Sequence, residues 1–156
     1  MIAKRISLLA ILVVMGLVPV LRADNKCSAA TMNGAYGFSG NGFEIVRQPV
    51  SRSGGKSNGR LSSQSFSPVV FVGTLALSGD GTLSGSFTAN GNGHQDTAVP
   101  FAGAYVVNAD CTGMVAVTEK DGRESHFALT ITDGGKEVLA IQTDAGAERT
   151  FVLRKQ

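Results

Sequence analysis

Apolar and polar residues alternate in twos along most of this chain. In the run 83–89, Leu83, Gly85, Phe87 and Ala89 fall on one side of a zigzag, and Ser84, Ser86 and Thr88 fall on the other. Successive side chains of an extended strand point to opposite faces, so the run predicts a half-solvated antiparallel strand. The same period recurs at 68–77, where Phe71, Gly73, Leu75 and Leu77 align, and at 124–132, where Phe127, Leu129 and Ile131 align. Further strands are predicted at 95–107, 113–119, 137–143 and 149–154. A first strand is predicted at 33–40 around Tyr36 and Phe38, with 43–46 extending it past a Gly-Asn-Gly break. Pro100 should force a bulge or an edge in the strand 95–107, because proline cannot donate to a ladder. After residue 23 no window repeats apolar residues at helical spacing.

Turn chemistry punctuates these runs: Ser78-Gly-Asp-Gly81, Asn90-Gly-Asn-Gly93, Lys120-Asp-Gly122, Asp133-Gly-Gly135 and Asp144-Ala-Gly146. Short hairpins joining consecutive strands make a meander, and a meander of half-apolar strands exposes its edges unless it closes. The expected fold is therefore all-β: an eight-stranded antiparallel up-and-down β-barrel, with a two-sheet β-sandwich as the alternative. Gly73-Thr-Leu75 is echoed by Gly81-Thr-Leu83, which is shared hairpin grammar rather than a solenoid, since no fixed period continues. The irregular Ser/Gly-rich stretch 47–67 predicts a long mobile loop, with Arg47, Arg52, Lys56 and Arg60 its only charges.

The start of the chain changes the reading of charge. Lys4 and Arg5 precede an apolar run from Ile6 to Leu21, followed by Arg22-Ala23. That layout predicts a signal peptide at 1–23, cleaved before Asp24, with an uncleaved anchor as the rival. The run is short for a span, which needs ~20 residues. Lys4, Arg5 and Arg22 leave with it, so 11 of the 14 basic residues face 12 acidic ones, a net charge of −1. Such a balance offers no basic face for nucleic acid. No later apolar stretch could span a membrane, and the expected location is secreted or periplasmic. The remaining 24–156 is one domain in length. Cys27 and Cys111 are the only cysteines. In an oxidising compartment they are expected to form a disulfide; a redox-active pair is the alternative, without the usual C-x-x-C spacing.

Several segments together carry a resemblance. They are Asn33-Gly-x-Tyr36-Gly-Phe38, Gly73-Thr-Leu-x-Leu77-x-Gly-Asp-Gly81, Gly103-x-Tyr105-x-Val107-Asn-x-Asp110-Cys111-Thr-Gly113, Asp133-Gly-Gly-Lys-Glu137 and Ile141-Gln-Thr-Asp144. The chain resembles a group of small secreted bacterial proteins without assigned activity. In layout it is similar to calycin-type barrels: the lipocalins and the allene oxide cyclase and dirigent barrels. The lipocalin Gly-x-Trp signature has no counterpart, since the chain has no Trp. The resemblance implies a fold, and fold alone does not imply function.

Chemistry-bearing residues are sparse. The apolar set Phe71, Leu75, Phe87, Phe101, Tyr105, Phe127 and Phe151, with Leu77, Leu83, Leu129 and Leu153, could line a cavity for one small ligand or fill a packed core. Glu124 and His126 share a strand face and form the candidate polar site; His94-x-Asp96 is a second pair. Two His and two carboxylates could hold a metal if brought together; solvated hairpin ends are the plainer reading, and no metal or other cofactor is expected. No Gly-x-Ser-x-Gly elbow and no free catalytic Cys is present. The basic stretch could attract an anionic ligand. The expected function is binding of a small apolar or amphipathic molecule. The alternatives are a structural or interaction module of the cell surface, and a small cyclase- or isomerase-like enzyme dependent on Glu124, His126 or Asp96.

Overall fold

The structure is a computed structural model that describes residues 26–48 and 63–156. The expected leader at 1–23, and residues 49–62 of the expected loop, lie outside the described residues.

The fold is a closed eight-stranded up-and-down antiparallel barrel, which excludes the sandwich. Its strands are β1 (Gly34–Gln48), β2 (Ser63–Leu77), β3 (Thr82–Gly91), β4 (His94–Val107), β5 (Thr112–Glu119), β6 (Glu124–Thr132), β7 (Glu137–Gln142) and β8 (Ala147–Lys155). Each pairs with the next, and β1 closes the circuit on β8 with Phe38 opposite Leu153. Among the described residues no helix is long and apolar enough to cross a membrane.

Two sequence expectations change. Gly40 and Gly42 do not break β1; they lie within it, opposite Phe151 and Arg149 of β8. A methyl group at Gly40 would strike the Phe151 ring, and one at Gly42 the backbone at Glu148. The glycines mark close approach. The irregular stretch is also shorter than predicted, because Arg47, Gln48 and residues 63–67 are strand, paired from Gln48 opposite Ser63 to Glu44 opposite Ser67. Ladder bonds use backbone groups, so serines do not prevent them. β8 accompanies β1 only to Glu44, and β3 accompanies β2 only from Val69. The β1–β2 hairpin therefore stands beyond the rim as a two-stranded ribbon.

The bulge expected near Pro100 lies just before it. Val99 faces Phe87 but Asp96 faces Ala89, so β4 carries one extra residue there. Ala98 takes it up at φ 51, with its N–H donated to Thr88 Oγ1 at 3.3 Å. Pro100 remains paired with Ser86.

Three hairpins repeat one turn. In Ser78–Thr82, Asn108–Thr112 and Glu119–Arg123, an Asp at the third position accepts the N–H of the fifth at 2.9–3.0 Å. The fourth residue takes positive φ: Gly81 at 93°, Cys111 at 68° and Gly122 at 86°. The Gly81 and Cys111 carbonyls then accept the N–H groups of Tyr105 and Ile131 on the next strands, at 2.7 and 2.8 Å.

These contacts close one end of the barrel. A 3-10 turn at Ala29–Met32, too short to show as periodicity, plugs it. Met32, Tyr36 and Val138 are fully buried there, packed with Leu77, Leu83, Tyr105, Leu129 and Ile131. Tyr36 donates its hydroxyl to Gly135 O at 2.5 Å. The Tyr105 hydroxyl lies 3.0 Å from Ala29 O and 2.5 Å from Ser78 O; with one proton it serves one at a time. The Cys27–Cys111 disulfide fastens the segment before the plug, with Cα atoms 4.9 Å apart.

Candidate functional site

The other half of the barrel is hollow. Inward-facing side chains enclose a cavity of about 110 Å³. Its wall is aromatic. Phe38, Phe101, Phe87, Phe71 and Phe151 form a closed circuit of ring contacts with centroids 5.4–6.2 Å apart, and Phe127 joins at Phe151. Tilted and edge-on pairs of this kind contribute about 0.5–1.5 kcal/mol each beyond burial. Register explains how five rings fit side by side. Gly73 lies opposite Phe38 and Phe87, Gly85 opposite Phe101, and Gly40 opposite Phe151. Each ring leans across a strand that has no side chain to oppose it. None of these six phenylalanines is fully buried, whereas the plugged end contains residues at zero exposure. The rings face an open interior.

Polar groups sit at the rim. Glu119 ends β5 on the inward parity of Val115 and Val117, and Arg149, near the start of β8, is on that of Phe151 and Leu153; both line the cavity. The Arg149 guanidinium carbon lies 5.0 Å above the Phe71 ring, a cation–π contact. Arg149 pairs through Nη2 with Glu44, and its buried Nε has no hydrogen-bond partner among the described residues. Burial lowers the Arg149 pKa. Burial also raises that of Glu119, with the guanidinium of Arg123, 3.5 Å away, opposing it. Ser125 and Gln142 are buried inward positions near the same rim. Gln142 donates to Asp144 at 3.0 Å, and its Oε1 has no partner among the described residues.

The structure separates the residues nominated from sequence. Phe71, Leu75, Phe87, Phe101, Phe127 and Phe151 line the cavity. Tyr105 does not; it is buried beneath the plug. Glu124 and His126 do share a face, but it is the outer one, with Ser125 between them pointing in. Asp96, Glu124 and His126 are all exposed, so none of them points into the cavity. His126 Nδ1 is 2.8 Å from Asp144 Oδ1, and its N–H donates to Asp144 Oδ2 at 2.7 Å. The hydrogen bond to Asp144 raises the His126 pKa, while the His126 backbone N–H and the Gln142 amide lower that of Asp144 to about 2. His94 and Asp96 lie 3.5 Å apart on the surface. Among the described residues no three His, Cys, Asp or Glu side chains converge as a metal site. Arg52, Lys56 and Arg60 lie outside the described residues, as does the side chain of Arg47.

Sequence reasoning missed Glu119 and Arg149. The signal was present: each continues the inward parity of an apolar strand. No family model, curated protein or solved structure matches the chain.

Proposed function

We propose that this protein binds a small apolar or amphipathic molecule in the aromatic half of its barrel. The observation that carries the reading is the contrast within one interior: a packed, plugged end and a hollow end walled by six phenylalanines. Drug-sized ligands fill pockets of roughly 300–1,000 Å³, whereas an apolar cavity of about 150 Å³ binds benzene. A hollow of about 110 Å³ therefore suits one ring or a short branched chain. The disulfide agrees with an oxidising location, secreted or periplasmic, and the closed eight-stranded meander agrees with a calycin-like layout.

The test is a toluene titration followed by methyl NMR. Binding should shift Leu75, Val117, Leu129 and Leu153 and leave Val72 and Val106 unmoved. Ala140→Leu, which fills the hollow from its wall, should abolish the shifts in a folded protein. Saturating toluene without a shift in the inward methyls would end the proposal.

A second reading rests on the outer face of the β1–β2 hairpin. Phe43, Phe66, Val70 and Val72 are 47–60% exposed on adjacent strands there. Exposed apolar groups so gathered suit an interaction surface. On that reading sedimentation should show an oligomer that Phe66→Ser dissolves; a monomeric wild type removes self-association.

A further inference from the structure

Arg149 is costly where it stands. A guanidinium is always charged, and this one lies inside the rim with its side chain only 13% exposed. It rests on the Phe71 ring, and its Nε has no partner among the described residues. Its ion-pair partner, Glu44, is 45% exposed, near where β1 leaves β8 and becomes free ribbon. The pair is asymmetric: Arg149 is fixed in the wall of the cavity, while Glu44 can turn into water.

We infer that Arg149 is the anchor for a carboxylate, and that the cavity takes a small aromatic or short-chain carboxylic acid as its anion, with Glu44 holding the anchor's charge until the ligand arrives. The inference rests on the binding proposal above. An incoming carboxylate replaces Glu44 like for like and can also engage Nε, since Arg meets carboxylates through two parallel N–H donors. Its apolar body enters beside Phe71 and Phe151. Among the described residues the other charged group in the cavity lining is Glu119, on β5, three strands away around the barrel and held by Arg123. Glu119 repels a second negative charge and so selects a monoanion with an apolar tail over a dicarboxylate.

Two probes and two variants of the full chain separate this from the parent reading. Benzoate and toluene are titrated into wild type, Arg149→Gln and Glu44→Gln at pH 7 by calorimetry or NMR. Wild type should bind benzoate more tightly than toluene. Arg149→Gln should lose at least about tenfold in benzoate affinity, the scale of a charge-assisted hydrogen bond, and should lose far more for benzoate than for toluene. Glu44→Gln should bind benzoate more tightly than wild type, because the competing carboxylate is gone. Toluene binding without benzoate binding, or benzoate binding unaffected by Arg149→Gln, overturns the anchor and leaves the cavity. Failure of both probes in the folded wild type overturns both. Weaker benzoate binding by Glu44→Gln would show that Glu44 orients Arg149 rather than competing for it, and would overturn the exchange.

Discussion

Cys111 occupies the turn position that Gly81 fills in the preceding hairpin of the same end, at φ 68 where Gly81 has 93. The left-handed region costs a residue with a Cβ about 1–2 kcal/mol. Glycine would be the cheaper choice, as Gly122 shows in the third copy of the turn. The cysteine is there for its sulfur, which reaches Cys27 across an 84-residue separation.

Removing the cross-link should therefore cost less when glycine takes over the turn. Cys27→Ala with Cys111→Ala should lose ~2–4 kcal/mol. Cys27→Ala with Cys111→Gly should recover about 1 kcal/mol of that. Urea unfolding of the two double variants measures the difference directly. Equal midpoints would mean that the turn relaxes when the sulfur is gone.

The opposition of glycine and phenylalanine predicts a second cost. A Cβ on Gly73 would lie 2.6 Å from Phe38 Cζ and also meet the Ser86 carbonyl. Gly73→Ala should destabilise by about 1–3 kcal/mol, the range for overpacking, and move the Phe38 ring resonances. An unchanged unfolding midpoint would show that the ring circuit gives way freely.

His126 and Asp144 should make stability depend on pH in opposite senses. The lowered Asp144 pKa contributes stability above 3.8, lost as pH falls toward about 2. The raised His126 pKa contributes below 6.5, lost as pH rises through the folded value. The pair is fully effective between those limits, and exposure keeps its contribution small. An NMR titration should place the His126 midpoint above 6.5, and Asp144→Asn should bring it back. An unshifted midpoint in wild type would remove the pair from solution.

Glu119 runs the other way. Its folded pKa is raised above 4.5, so the folded state holds the proton longer and stability falls as pH rises from 4.5 through the folded value. Glu119→Gln should melt with wild type near pH 4 and above it at pH 7. A lower melting temperature at pH 7 would mean that the attraction of Arg123 outweighs burial.

The strands were legible because parity is local. Leu83, Phe87 and Ala89 announce an inward face without reference to any other strand, and 124–132 is strand to the residue. Hollowness was not legible, because it depends on register. Nothing within Gly73 or Phe38 says that they meet; only the β1–β2 ladder does. The same limit hid the rim. Arg149 is separated from Phe151 by one residue, which is visible, but its place beside Phe71 depends on how β8, β1 and β2 wrap. Tyr105 misled for a related reason. Its parity is inward, yet it falls at the plugged end, and the plug is four residues of 3-10 turn that leave no periodic trace.

Closure of β1 on β8 also governs how the chain must fold. Seven of the eight ladders join neighbours in sequence, six of them through short turns that can zip readily. The eighth brings Phe38 to Leu153 and must wait for loop-closure entropy to be overcome. Folding should therefore be slow for a protein of this size, in the millisecond-to-second range of non-local β topologies. A pre-formed Cys27–Cys111 link shortens that search by holding the start of β1 at the β4–β5 turn before the last ladder closes.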